Sequence, residues 1–186
     1  LVKLMCDRDY RVAAFEPSFG RAEKLRDSLA GNKNFLGVID SDTKASYDCV
    51  IMSEVIEHIL DDELDCTLNY LASLVKPNGT LIVTTPNNED LELSMVYCPM
   101  SNLLFHRWQH VRSFEGGTLS QLLSKYGFKE KVIHLVEFRD SLFLSGDSLW
   151  GEEGSAIPSH VTRIRENLPT NVAGETNILY VGTRTS

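Results

Sequence analysis

Glu54, Glu57 and His58 stand at i, i+3 and i+4 directly after the apolar run Cys49-Val50-Ile51-Met52. On a helix that spacing puts all three on one face. Two carboxylates and an imidazole brought together there could ligate a divalent cation or form a catalytic cluster with His58 as general base. His110, in Gln109-His110-Val111-Arg112, offers a further imidazole for either role. Such a set suits Mg²⁺, Mn²⁺ or Fe²⁺ better than structural zinc. Plainer explanations exist: acids near a helix start are favoured by its dipole, and His106 and His110 share a spacing that any helix face would give. Upstream, Glu16 closes the run Arg11-Val12-Ala13-Ala14-Phe15, where nucleotide-binding sheets place a carboxylate for ribose hydroxyls. A surface acid ahead of Pro17 accounts for it equally well.

These residues need elements to position them. Leu1 to Cys6 reads as the tail of a helix, and residues 11–15 as a short strand ended by Glu16-Pro17. Ser18 is a candidate N-cap for a helix carrying Phe19, Ala22, Leu25 and Leu29, with Gly31 as its stop. Strands are expected at Phe35–Ile39 and across Cys49–Met52, the latter apolar enough to be buried on both faces. Asp61 is a candidate cap for a helix to about Val75, with Leu64, Leu68, Leu71 and Val75 in one stripe. Lys76-Pro77-Asn78-Gly79 predicts a turn, then a strand over Leu81–Thr85. Residues 88–113 predict a less regular segment covering a pocket, with Phe105 to Trp108 as candidate lining or as core. A helix over Thr118–Tyr126, ended by Gly127, and strands at Phe128–Phe138 and Asn177–Thr183 follow, with a short helix around Val161–Asn167 between them. Strands alternating with helices predict a doubly wound, mostly parallel α/β sheet, with its ligand crevice beyond the carboxyl ends of the strands.

The chain has 186 residues and is 42% hydrophobic, which suits a single domain with one core. No apolar run approaches the length of about 18 residues that a membrane span needs, and no signal pattern opens the chain, so a cytoplasmic location is expected. Cysteines at positions 6, 49, 66 and 98 form no CxxC pair and read as buried, reduced thiols. The net charge is -8, with the whole acid excess before residue 100. That balance disfavours nucleic acid as a substrate, apart from a local patch around Arg107 and Arg112.

Two long motifs carry a resemblance. Tyr47 to Ile59 (YDCVIMSEVIEHI) and Leu74 to Asn87 (LVKPNGTLIVTTPN) are similar to the middle of a class I S-adenosylmethionine-dependent methyltransferase. They most resemble the branch that holds the O-methyltransferases of ubiquinone biosynthesis, and His110-Val111-Arg112-Ser113-Phe114 with Leu119 and Gly127-Phe128 resembles that branch's third block. The resemblance spans roughly residues 10–138. It implies a Rossmann-like sheet with an antiparallel last strand, with S-adenosyl-L-methionine as cofactor. It further implies cofactor contacts at Glu16, Ser53 and Asp40, and a divalent metal, Mg²⁺ or Mn²⁺, on Glu54, Glu57, His58 and His110. His58, His110 and Glu54 are then the candidate catalytic groups.

Departures from that pattern shape the remaining expectations. The family's first strand and glycine-rich loop would precede Leu1, so the chain reads as one N-terminally incomplete methyltransferase domain over 1–186. Asn78 stands where the family has glycine, and segment 139–176 reads as an insertion before the last strand. Methyl transfer to an oxygen of a small-molecule acceptor is the leading expectation. A truncated or degenerate, non-catalytic binding module is the alternative, and a nicotinamide dehydrogenase shares the strand-then-acid order but not the ExxEH block.

Overall fold

The computed structural model describes residues 1–44, 46–136 and 176–185. The expected helix around Val161–Asn167, Phe138 and nearly all of segment 139–176 lie outside the described residues. Leu1–Ala45 and Ser46–Ser186 form two compact units.

The first unit holds α1 (Val2–Cys6), β1 (Val12–Phe15), α2 (Phe19–Ser28) and β2 (Phe35–Ile39). β1 and β2 pair in parallel, Val12 opposite Phe35 and Phe15 opposite Ile39, so α2 is the crossover a parallel pair requires. Cys6, Ala14, Ala22 and Leu29 are its buried apolar residues. Ser18 holds the N-cap position of α2 without making the side-chain bond expected of it. The Glu16 carboxylate instead accepts the Ser18 backbone N–H at 2.9 Å. Gly31, at φ +80, takes the left-handed backbone of the turn that follows the helix.

The second unit holds β3 (Tyr47–Ser53), α3 (Asp61–Leu74), β4 (Val75–Pro86), β5 (Met95–Cys98), β6 (Leu103–His106), α4 (Gly116–Ser124), β7 (Phe128–Val136) and β8 (Asn177–Arg184). Its main sheet runs β3-β4-β8-β7, with β3 and β4 parallel and β8 antiparallel to both its neighbours. This is a mixed α/β fold with the expected antiparallel last strand. The turn expected at residues 76–79 is a bulge inside one longer strand: Tyr47 pairs with Val75, yet Cys49 pairs with Thr80. Asn78 takes φ +62 there, and a Cβ on Gly79 would lie 2.8 Å from the Lys76 carbonyl oxygen, so only glycine fits.

Leu68 and Leu71 of α3 and Leu119 and Leu123 of α4 join Leu81, Val83, Ile178 and Tyr180 in one buried core. The expected α3 stripe is therefore real, with Leu64 at its margin and Val75 passed to β4. Asp61 does not cap α3; Leu60 is the N-cap, and Asp61, Asp62 and Glu63 form an acidic first turn that complements the helix dipole. α4 begins at Gly116, two residues before the expected start, where the Thr118 hydroxyl accepts the Glu115 N–H at 3.1 Å. Within 88–113 the chain forms the antiparallel hairpin β5–β6. Of the four cysteines only Cys6 is buried; Cys49 and Cys66 are exposed, contrary to the expectation of buried thiols. Among the described residues no helix is long and apolar enough to cross a membrane.

Candidate functional site

β3 and β4 are parallel and end at Ser53 and Pro86, and antiparallel β8 begins opposite Pro86 at Asn177. One sheet edge therefore gathers Ser53, Thr84, Thr85, Asn87 and Asn177. Ser53 Oγ and Thr84 Oγ1 share a hydrogen bond of 2.9 Å. Glu54 leaves β3 at φ +52, a left-handed conformation unusual for a residue with a Cβ. That turn prevents a helix from starting at Glu54, and a single 3₁₀ turn over Ile56–His58 forms instead. The shared helical face expected of Glu54, Glu57 and His58 is consequently absent. Glu54 Oε2 accepts the Asn177 amide at 3.3 Å. Partial desolvation, with a smaller push from the Glu57 carboxylate, raises the Glu54 carboxyl above its ordinary range against a hydrogen bond from Thr84.

Glu57 turns inward and is 1% exposed. Its Oε2 accepts the Thr85 hydroxyl at 3.0 Å, while Oε1 is buried with no hydrogen-bond partner among the described residues. His58 Nε2 lies 3.8 Å from that oxygen. The other nitrogen, Nδ1, donates to the Gln109 carbonyl at 3.2 Å, so the hydrogen-bond network assigns the hydrogen to Nδ1 and the lone pair to Nε2.

His110 reaches the same place on a strap clamped to the 3₁₀ turn. The Val111 N–H donates to the Glu57 carbonyl at 2.9 Å, and Arg112 donates to the Ile56 carbonyl at 3.0 Å and to the Asp61 carboxylate at 2.6 Å. Arg112 is thus engaged within the fold and is not a free cation for the expected basic patch. The His110 ring stands edge-on to His58, centroids 4.8 Å apart, and its Nδ1 lies 2.5 Å from Glu89 Oε2. Among the described residues, two groupings have ligand atoms within 4.8 Å of one another: Glu57, His58 and His110, and Glu89, His106 and His110. Both omit Glu54. A cleft of about 580 Å³ opens over His58, Asn87, Glu89, Trp108, His110 and Asn177.

In the first unit, Glu16 and Asp40 each follow the last residue of a parallel strand. Asp40 accepts the Thr43 hydroxyl at 2.8 Å and the Asp42 N–H at 3.1 Å, and the Thr43 bond leads the causes that hold its carboxyl below the ordinary range. The sequence reading missed Glu89, Thr85 and the role of His106. The available signal was position: Thr85 is the last residue but one of β4, and Glu89 stands three residues past the end of that strand.

A profile of the methyltransferase domain matches residues 1–135. The human mitochondrial ubiquinone biosynthesis O-methyltransferase is 27% identical over 160 residues, which cover 80% of this chain and 42% of that protein. The chain thus spans less than half the length of that relative. Among solved structures, the 1,6-didemethyltoxoflavin-N1-methyltransferase of Burkholderia thailandensis, with its substrate and S-adenosylhomocysteine bound, aligns over 97% of this chain and 64% of its own. The TM-score is 0.54 and the identity 15%. The CcbJ methyltransferase of Streptomyces caelestis aligns over 98% of this chain and 78% of its own, at a TM-score of 0.60 and 13% identity. Strand order, the acids past the strand ends and the match over residues 1–135 together lead to one conclusion: the chain belongs to the S-adenosylmethionine-dependent methyltransferase domain family.

Proposed function

We propose that this domain transfers a methyl group from S-adenosylmethionine to a hydroxyl oxygen of a small-molecule acceptor, with a divalent cation held by Glu57, His58 and His110. The observation that carries this reading is the meeting of Glu57, His58 and His110, whose ligand atoms lie within 4.8 Å of one another. Glu57 Oε1 is a buried carboxylate oxygen without a partner among the described residues, and the imidazole nitrogens left free on His58 and His110 are the Nε2 atoms. A buried carboxylate with one oxygen unpartnered is costly, so this arrangement suits an incoming cation or an acidic hydroxyl hydrogen. Two imidazoles and one carboxylate fit Mn²⁺ or Fe²⁺ better than Mg²⁺, which prefers an all-oxygen shell.

Bound S-adenosylmethionine supplies an electrophilic methyl carbon, and a bound divalent cation acidifies an acceptor hydroxyl. The chain's residues supply position. Glu16 and Asp40 are the proposed ribose and adenine contacts, and Ser53 a proposed contact to the methionine or adenosine portion. Trp108 and the amides of Asn87 and Asn177 line the cleft and would seat an aromatic alcohol, the ring apolar and the hydroxyl turned to the histidines. Thr85 and the Gln109 carbonyl hold Glu57 and His58 in place. Similarity to the ubiquinone biosynthesis O-methyltransferase supports oxygen as the acceptor atom.

The test is methyl transfer to a panel of catechols and arylamines by the protein, before and after chelation. Transfer to catechol oxygen that falls on chelation and returns with Mn²⁺ supports the reading. Transfer to nitrogen alone, or no dependence on the cation, contradicts it.

A further inference from the structure

Two three-residue clusters share His110, and the hydrogen positions separate their roles. His106 Nδ1 accepts two backbone N–H groups, from Trp108 at 3.3 Å and His110 at 3.1 Å. A neutral imidazole has one acceptor nitrogen, so the hydrogen of His106 is on Nε2. That nitrogen is buried, has no hydrogen-bond partner among the described residues and lies 3.6 Å from Glu89 Oε1. A nitrogen bearing hydrogen has no lone pair for a cation, so Glu89, His106 and His110 do not form a second metal centre.

We propose that Glu89 is a positioning residue for His110. Its carboxylate, acceptor-only when ionised, lies 2.5 Å from His110 Nδ1 and keeps the hydrogen there. Nε2 is then left with its lone pair for the site shared with Glu57 and His58. His106 completes the support: it takes the His110 backbone N–H and stacks its ring on His110 at 4.8 Å and 23°. Glu89 Oε1 meanwhile faces the N–H side of His106. One carboxylate thereby sets the face that His110 presents, and a His-rich cluster becomes one cation site with a hydrogen-bonded backing in place of two competing sites. This inference rests on the cation-site reading above, and its primary test does not need a cation.

The test is long-range ¹H–¹⁵N correlation of the histidine side chains, at alkaline pH and without metal, in the wild type, Glu89→Gln and Glu89→Ala. His110 is expected as the Nδ1–H tautomer in the wild type, largely so in Glu89→Gln, whose amide oxygen still accepts, and shifted towards Nε2–H in Glu89→Ala. In a parallel Mn²⁺ titration followed by electron paramagnetic resonance, Glu89→Ala weakens binding about 10- to 100-fold, as loss of an outer partner does, whereas Glu57→Ala abolishes it. An Nε2–H tautomer in the wild type overturns the proposal. So does an unchanged tautomer in a folded Glu89→Ala, or a loss of Mn²⁺ binding in Glu89→Ala as complete as in Glu57→Ala. If Glu89→Ala does not fold, Glu89→Gln decides: an Nε2–H majority there also overturns it. A wild type that binds no Mn²⁺ removes the cation site, while the tautomer readout still decides the role of Glu89.

Discussion

Both units place acids just beyond the ends of parallel strands, yet the two sets are satisfied differently. In the first unit Glu16 and Asp40 bond the N–H and hydroxyl groups of their own turns, within three residues. In the second, Glu57 and Glu89 are bonded by Thr85 and His110, 28 and 21 residues away, and Glu57 keeps one buried oxygen without a partner among the described residues. Acids of the first kind are anchored to the turns next to them. A buried carboxylate oxygen without a partner among the described residues, as on Glu57, is costly to the fold by itself.

The largest effect that sharpens this contrast is expected from Glu57→Ala. On the proposed reading it removes the only carboxylate of the cation site, so methyl transfer should fall by about 10²- to 10⁴-fold, the range of a lost acid–base or charge-stabilising group. The melting temperature should shift far less than activity, because the orphan oxygen goes with the side chain while the Thr85 hydroxyl loses its acceptor and a cavity opens. A variant as active as the wild type would erase the distinction between the two sets of acids. Gly182→Ala tests the scaffold behind the site: its Cβ would lie 2.4 Å from the Tyr180 hydroxyl oxygen, and the overpacking should cost about 1–3 kcal/mol in chemical denaturation.

Tyr180→Phe should act in the opposite direction. The hydroxyl is buried without a hydrogen-bond partner among the described residues, so its removal should gain about 1 kcal/mol. Burial first, with Glu130 second, pushes the phenol from 10.0 up to about 12. The folded state therefore holds this proton more tightly than the unfolded one. The associated stability is complete below pH 10 and is lost as the pH rises towards 12. Tyr180→Phe should flatten that alkaline decline. The smallest effect is expected from Glu54→Gln. Its carboxyl is raised above 4.5, so the wild type loses stability as the pH climbs above that value, and thermal melts of the variant should show a shallower slope there. An unchanged slope would remove the desolvation assigned to Glu54.

The comparison also explains what could be read in advance. β3, α3 and the end of β4 were legible because apolar runs and a leucine stripe each state a local preference, whereas Pro-Asn-Gly, which reads as a turn, is a bulge inside the longer β4. Glu16 and Asp40 were legible as positions for the same reason. The grouping of Glu54 with Glu57 and His58 failed because it assumed helical continuation, whereas Glu54 sits at φ +52, which no glycine or asparagine announced. Glu89 was invisible because its partner comes from a strap 21 residues away, held by the bonds of Arg112 to Ile56 and Asp61. The hairpin β5–β6 was read as irregular because Met, Tyr, Leu and Phe in 95–106 state no clear alternation.

The most direct test of the account is pulsed electron paramagnetic resonance of Mn²⁺ bound to the domain. The account predicts nitrogen modulation from two imidazoles, reduced to one in His110→Ala and unchanged in number in His106→Ala. Mn²⁺ with no imidazole modulation, or modulation lost with His106 and retained without His110, would contradict it.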